Sequence, residues 1–334
     1  MIQQFNEIQF DKLCQLICEN KRTLIVYHIR SDADAVGSAF ALKELLRVMG
    51  IQSYCACSDE IPERLAFLTD GAQGSVLLDE ELYMDFERVI SVDSASPSQL
   101  GALFTKLHKD IDIMIDHHAT GSPYADYYIE PDAAATGEII YAIAKRLCEM
   151  GEIGEIPPRV INCVYAAISS DTGGFRFANT TPQTLEIAAE LMEYGIDTAE
   201  LNRLLFDSKP LVQIKAEGVA IERLCTYDEG RIAYTSFPYS AKVELGALDE
   251  HLGTLIDIPR SVADAEIAFV VKQESESGEY RVSMRSATDF DVAKVCARFG
   301  GGGHKRAAGC SLTAKSIEDA EEKILYEIMR IKRL

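Results

Sequence analysis

"TLIVYHIRSDADAVGSAFALKELLRVMG" (residues 23–50) sets a short apolar run, an acidic turn and a helix-like stretch in direct succession. The run "TLIVYH" has the length and β-branched content of a buried strand, and "AVGSAFALKELLRVMG" has helical length and stops at glycine. "IQSYCACS", "RVISVD" (88–93) and "IDIMID" (111–116) read as further strands. In "NTTPQTLEIAAELMEYG", Thr181 can cap a helix, Pro182 sits in its first turn and Gly195 ends it. Strands alternating with helices imply parallel βαβ units, so the first 195 residues predict a mostly parallel sheet with helices on both faces.

Beyond residue 195 the pattern changes. A helical connector is followed by "RIAYTSFP", "AEIAFVVKQE" and "YRVSMRS", which read as strands, with "SESG" as the turn joining the last two. "DFDVAKVCARFG" spaces Val292, Val295, Cys296 and Phe299 on one helical face, and "SIEDAEEKILYEIMRIKRL" reads as a last helix. The expected organisation is an α/β chain: a first domain over 1–195, a helical linker over 196–218 and a smaller α/β domain over 219–334. A length of 334 residues suits two domains.

No run approaches the roughly 18 apolar residues of a membrane span, so no membrane partner is expected. "MIQQFNEIQFDKL" lacks the basic and apolar regions of a signal peptide, and nine cysteines without paired spacing suit a reducing cytoplasm. A formal net charge of −20 argues against long nucleic acid, whose binding draws on counterion release at many phosphates. It leaves room for a small phosphorylated ligand held by a local basic pocket or by metal ions.

Acids and histidines gather where elements end. His28, Asp32 and Asp34 follow the first strand, Asp93 ends "RVISVD", and Asp116, His117 and His118 follow "IDIMI". Asp171 lies in "ISSDTGGF", between a helix and a glycine turn. Ligands of open α/β sheets bind outside the carboxyl ends of the strands, where three of these clusters converge. Singly, Asp32 and Asp34 read as helix caps and Asp93 as a turn acid. Together, imidazole and carboxylate without thiolate form the donor set suited to Mn²⁺ or a similar divalent ion. So many acids at one sheet edge would repel one another without cations between them.

In this order, "HIRSDADAVGS", "SVDSA", "DHH" and "SSDTGGFRFANTT" resemble the motifs of the DHH phosphoesterase superfamily. "FGGGGHKRAAG" (299–309) resembles the glycine-rich signature of its DHH-associated C-terminal domain. The resemblance covers nearly the whole chain, and the two-domain length is most similar to the NrnA-type branch of oligoribonucleases and pAp phosphatases. One departure is Arg30-Ser31, where the family usually carries Asn-Pro before the first aspartate. The resemblance implies two Mn²⁺ ions, with Mg²⁺ or Co²⁺ as substitutes. His28, Asp32 and Asp93 would hold one; Asp34, Asp93, His117 and Asp171 would hold the other, with Asp93 bridging. Asp116 would orient a ligand, and His118 would face the phosphate, contacting an oxygen or aiding the leaving group. Two cations about 4 Å apart neutralise a phosphodiester, lower the pKa of water and align displacement, so no serine or cysteine nucleophile is needed.

Residues 281–310 carry six basic and two acidic side chains, a net +4 inside a −20 chain. Alternation in "YRVSMRS" puts Arg281, Ser283 and Arg285 on one strand face. A glycine run lets backbone amides approach a phosphate. With the resemblance, the expected substrate-binding residues are Arg285, Ser286, Gly301, Gly302, Gly303, His304 and Arg306. Arg176 and Asn179 either face substrate or order their loop. The expected activity is manganese-dependent hydrolysis of short oligonucleotides and of small phosphorylated nucleotides such as pAp, and a homodimer is allowed. The alternative is a cyclic-di-AMP or linear-dinucleotide phosphodiesterase; a nucleotide sensor and a long single-strand exonuclease rank below it.

Overall fold

The computed structural model describes residues 5–69, 86–107 and 110–332, and the chain forms two compact units, Met1–Ser208 and Lys209–Leu334. In the first, β1 (Thr23–Val26), β2 (Ser53–Ala56), β3 (Arg88–Val92), β4 (Ile113–Asp116) and β5 (Asp126–Ile129) form a parallel sheet of order β2-β1-β3-β4-β5. β1, β3 and β4 are buried along their whole length, the mark of parallel strands covered on both faces. Ile25, Ile90, Val92 and Ile115 enter one core, while Leu24, Val26, Val89 and Met114 enter the other. A register slip of one residue would exchange these sets.

The chain runs outward from β1 to β2 and then returns to β3 on the other side of β1. This reversal brings the carboxyl ends of β1, β3 and β4 side by side, at the switch point where such sheets bind ligands. Above one face the Ala33–Val48 helix packs on the Thr136–Met150 and Pro158–Asp171 helices. A Cβ on Gly37 would lie 2.6 Å from the Cys163 carbonyl oxygen, so only glycine permits this approach. β5 was not expected from the sequence. "DYYI" is a half-buried edge strand opening on an aspartate, with neither an apolar run nor an alternation to mark it.

The second unit has a mixed six-strand sheet, order β10-β11-β9-β8-β7-β6. Its strands are β6 (Cys225–Tyr227), β7 (Ile232–Phe237), β8 (Ile267–Gln273), β9 (Glu279–Ser286), β10 (Gly302–His304) and β11 (Ala307–Thr313). β7 and β8 are parallel; the other neighbours are antiparallel. The Leu211–Glu222 helix, whose first turns lie in the expected linker, and the helical turns at Asp249–Ile256 cover β7 and β8 through Ala216, Ala220, Leu252 and Leu255. The Val292–Ala297 and Ile317–Lys332 helices cover the opposite face, against Phe269, Val282 and Met284. No helix among the described residues is long and apolar enough to cross a membrane.

Candidate active site

Where β1 ends, the chain makes a tight turn. Arg30 sits at φ +54° with its amide donating to Asp59 Oδ2 at 2.7 Å, and Ser31 Oγ donates to the His28 carbonyl at 3.0 Å. These hydrogen bonds build the turn without the family's usual Asn-Pro. Asp32 caps the following helix, its Oδ1 accepting from the amides of Asp34 (3.1 Å) and Ala35 (3.0 Å). The plain reading as a cap therefore holds together with its place beside His28. Asp34 is fully buried: Oδ1 accepts from Ser38 Oγ and the Gly137 amide, both at 2.9 Å, and Oδ2 from the Thr136 amide at 2.7 Å. Asp93 leaves β3 at φ +52°, an uncommon conformation for a non-glycine residue, and receives Thr136 Oγ1 at 3.0 Å on Oδ1.

The histidines complete the cluster. The Nδ1–H of His28 donates to the Ile29 carbonyl at 2.9 Å and that of His117 to the Ala133 carbonyl at 3.1 Å, which leaves Nε2 as each neutral ring's lone pair. Both lone pairs face carboxylates. His28 Nε2 lies 3.4 Å from Asp93 Oδ2 and 3.7 Å from Asp32 Oδ1. His117 Nε2 lies 3.4 Å from Asp171 Oδ2, 3.7 Å from Asp93 Oδ1 and 3.8 Å from Asp34 Oδ2. These separations are mostly too long for hydrogen bonds. Acceptors that converge without touching are arranged for a cation, and the oxygen-and-imidazole donor set fits a divalent metal ion. The donor atoms of His28, Asp32 and Asp93 lie within 4.8 Å of one another, as do those of Asp34, His117 and Asp171 and those of Asp93, His117 and His118.

The electrostatics agree with this geometry. Burial, then Asp93, Asp171 and Asp32, raise the Asp34 carboxyl well above its usual range. Burial, then Asp32 and Asp93, push Asp171 up to about 8. Burial opposes charge on His28, yet Asp32 and Asp93 outweigh it and hold that imidazole at about 11. The carboxylates require positive charge among them. Asp116 stands apart as a support. Its Oδ1 accepts from the amides of His117 (2.9 Å) and His118 (3.3 Å) and from His118 Nδ1 (2.7 Å). That last bond is the chief reason His118 is pushed up to about 9, and the ring keeps a side-chain exposure of 36 %.

In the second unit, the β9 alternation puts Arg281, Ser283 and Arg285 on one face and the buried Tyr280, Val282, Met284 and Ser286 on the other. The structure thus separates Ser286 from Arg285, and the Ser286 hydroxyl donates to the Thr288 carbonyl at 3.1 Å. Register aligns His304 of β10, Ala307 of β11 and Arg285 of β9 in one row, so His304 and Arg285 flank a small residue. The glycine run is partly edge strand, with Gly302 and Gly303 in β10. A Cβ on Gly301 would meet the Gly309 carbonyl oxygen at 2.3 Å, and one on Gly303 the Ala307 carbonyl oxygen at 2.5 Å; Gly302 has nothing within 4 Å. Arg306 lies in the β10–β11 turn, 3.9 Å from Asp289.

The model of the DHH family N-terminal domain matches residues 22–168, and that of the DHHA1 domain matches residues 231–330. The bifunctional oligoribonuclease and PAP phosphatase NrnA of Thermus thermophilus is 30 % identical over 313 residues, covering 91 % of this chain and 88 % of that protein. The chain belongs to the DHH family. Cyclic-di-AMP phosphodiesterase GdpP of Geobacillus thermodenitrificans is 25 % identical over 326 residues, 93 % of this chain and 48 % of that protein. The fold matches the crystal structure of an exopolyphosphatase-related protein from Bacteroides fragilis, with a TM-score of 0.85, 20 % identity and 97 % of each chain covered.

Several residues that shape this DHH-family site escaped the sequence reading. Thr136 and Gly137 aim the first amides of a helix at Asp34, and Thr136 also holds Asp93. Ser38 braces Asp34 from within its own helix, and Ala133 fixes His117 through a carbonyl. The available signal was "AAATGEII", small residues opening a helix, although backbone donors leave no residue-type signature. Arg176 and Asn179 order their loop: Asn179 Nδ2 donates to the Ala134 carbonyl at 3.0 Å and the Asp171 carbonyl at 3.2 Å, and Arg176 Nε to the Gly173 carbonyl.

Proposed function

We propose that this DHH-family chain is a manganese-dependent phosphoester hydrolase that cleaves short oligonucleotides to mononucleotides and dephosphorylates pAp in the cytoplasm. The observation that carries this reading is Asp93, whose two carboxylate oxygens turn to different histidines, Oδ2 to His28 and Oδ1 to His117. A carboxylate so divided suits a bridge between two ion sites: His28, Asp32 and Asp93 for one, Asp34, Asp93, His117 and Asp171 for the other. Divalent cations bound there supply charge neutralisation for the phosphoester and lower the pKa of water. The protein's own residues do the rest. The Nδ1–H bonds of His28 and His117 keep both rings in place. His118, held protonated by Asp116, gives a hydrogen bond to a phosphate oxygen or a proton to the departing group. Arg285 and His304 are the second unit's contacts for substrate phosphate.

The likeness to a cyclic-di-AMP phosphodiesterase over 93 % of this chain favours one second reading, cyclic-di-AMP or linear dinucleotides as the preferred substrate. One panel decides. Dinucleotides, pAp, cyclic di-AMP and a 24-mer are compared by kcat/KM with Mn²⁺ and with chelator. Mn²⁺-dependent turnover of dinucleotides and pAp, with a much poorer 24-mer, is expected. A clear preference for cyclic di-AMP would install the second reading, and equal efficiency on the 24-mer would defeat both.

A further inference from the structure

The row formed by His304, Ala307 and Arg285 is not the last on its face of the second sheet. Two positions along β9 is Ser283, with Gly309 beside it on β11. Two further is Arg281, flanked by Ser311 on β11 and Lys272 on β8. Residues paired directly across neighbouring strands share a face, so Arg281 and Lys272 stand on the Arg285 side. Both are cations, and like charges directly opposite are destabilising in a sheet unless an anion lies between them. Asp249 and Glu274 are close enough to act on Lys272, and Asp249 also on Arg281, but the ion pairs they form are with Lys242. Asp249 is paired with Lys242 at 2.5 Å, and Glu274 lies 4.0 Å from the same ammonium. Among the described residues, no carboxylate forms an ion pair with Arg281 or Lys272. Lys272 is also partly buried, and that burial, then Arg281, lowers its pKa against the opposing pull of Glu274 and Asp249.

Spacing makes the pair meaningful. Alternate residues of a strand recur at about 6.8 Å, two steps of the antiparallel rise, comparable to the separation of adjacent phosphates in an extended nucleotide chain. The strip from Arg285 through Ser283 to Arg281 offers a cation, a hydroxyl and a cation at that repeat. Its floor on β11 is Ala307, Gly309 and Ser311, small enough to leave room for sugars and bases.

We propose that Arg281 and Lys272 form a second phosphate subsite, used by substrates of three or more nucleotides and not reached by pAp. This rests on the reading of Arg285 and His304 as the first substrate contact. It makes β9 a ruler on which a trinucleotide gains a contact that smaller substrates lack.

Equilibrium binding tests it without requiring turnover. Fluorescent 5′-phosphorylated trinucleotide is titrated with wild type, Arg281→Ala and Arg281→Lys protein in chelator, with competition by pAp. Arg281→Ala is expected to weaken trinucleotide about tenfold, to weaken pAp less than threefold, and to lower the salt slope by about one. Arg281→Lys should recover most of the loss. Replacing the linkage farthest from the cleaved end by a neutral methylphosphonate should weaken wild type and leave Arg281→Ala little changed. Unchanged trinucleotide affinity, equal weakening of both ligands, or no trinucleotide binding by wild type would each overturn the subsite. Failure of the functional reading looks different: wild type would bind trinucleotide with this Arg281 dependence yet hydrolyse nothing with Mn²⁺.

Discussion

The two candidate surfaces of this chain are built on opposite principles. At the end of the parallel sheet Asp34 has three hydrogen bonds, Asp93 is held by Thr136, and His28 and His117 are each fixed by a carbonyl. On β9 and β10 the polar groups are long or exposed: Arg281 and His304 are open to solvent, and Arg285 donates to its neighbour's carbonyl at Met284. Positions that must hold like charges a few ångströms apart need bracing, because relaxation would destroy the arrangement. A surface that grips flexible phosphates tolerates adjustment and gains from reach. Substitutions should accordingly act on chemistry in the first unit and on binding in the second.

The hardest blow to this contrast is expected at Asp93. Asp93→Asn keeps the size and the tolerance for positive φ but removes the charge shared by both ligand groups. We expect kcat to fall by at least about 1,000-fold, about 4 kcal/mol of barrier. The Mn²⁺-induced rise in Tm of the wild type, which follows from binding only the folded state, should also disappear. A variant with full activity, or one that still gains Tm with Mn²⁺, would remove Asp93 from the centre.

Next comes Thr136→Val, which deletes one hydroxyl bond to Asp93 and keeps the amide bond to Asp34. Supporting partners of this kind typically contribute 10–100-fold in metal affinity or activity, so the Mn²⁺ concentration for half-maximal activity should rise by about that factor. Saturating Mn²⁺ should restore most of the rate. An unchanged metal requirement would mean that Asp93 is positioned by its backbone alone.

The contrast also explains what the sequence revealed. Ligand candidates were readable because charged and imidazole side chains stood at strand ends, and the β2-β1-β3 reversal brings such ends together. Their bracing was hidden, since the amides of Thr136 and Gly137 and the Ala133 carbonyl are groups every residue carries. β5 escaped because an edge strand with one half-covered face needs no apolar run. Ser286 shows what adjacency in sequence leaves out. A serine adjoining Arg285 looked like part of the same site, but neighbours on a strand point to opposite faces, and the same alternation had grouped Arg281 with Ser283 and Arg285. "GGGG" mixed two causes in one motif: Gly301 and Gly303 answer to steric contact with β11, Gly302 to none.

On the gripping side, Arg285→Ala should raise KM about tenfold while kcat stays within about threefold, the signature of binding lost equally from ground and transition states. A large fall in kcat at constant KM would place Arg285 in the chemistry and dissolve the division of labour.

The smallest expected effect separates the glycines. Gly302 has open space around its Cα and no positive φ, so Gly302→Ala should leave Tm within about 2 °C, as surface substitutions without lost contacts do. If its backbone approaches a substrate phosphate, the added methyl should still raise KM a few-fold. Gly301→Ala forces a Cβ to 2.3 Å from the Gly309 carbonyl oxygen, so that hairpin must shift and Tm should fall visibly. Comparing the two by Tm and KM tests whether the motif serves packing, recognition or both. An unchanged KM in Gly302→Ala would reduce the glycine run to the packing requirement and leave His304 and Arg285 as the substrate contacts of that row.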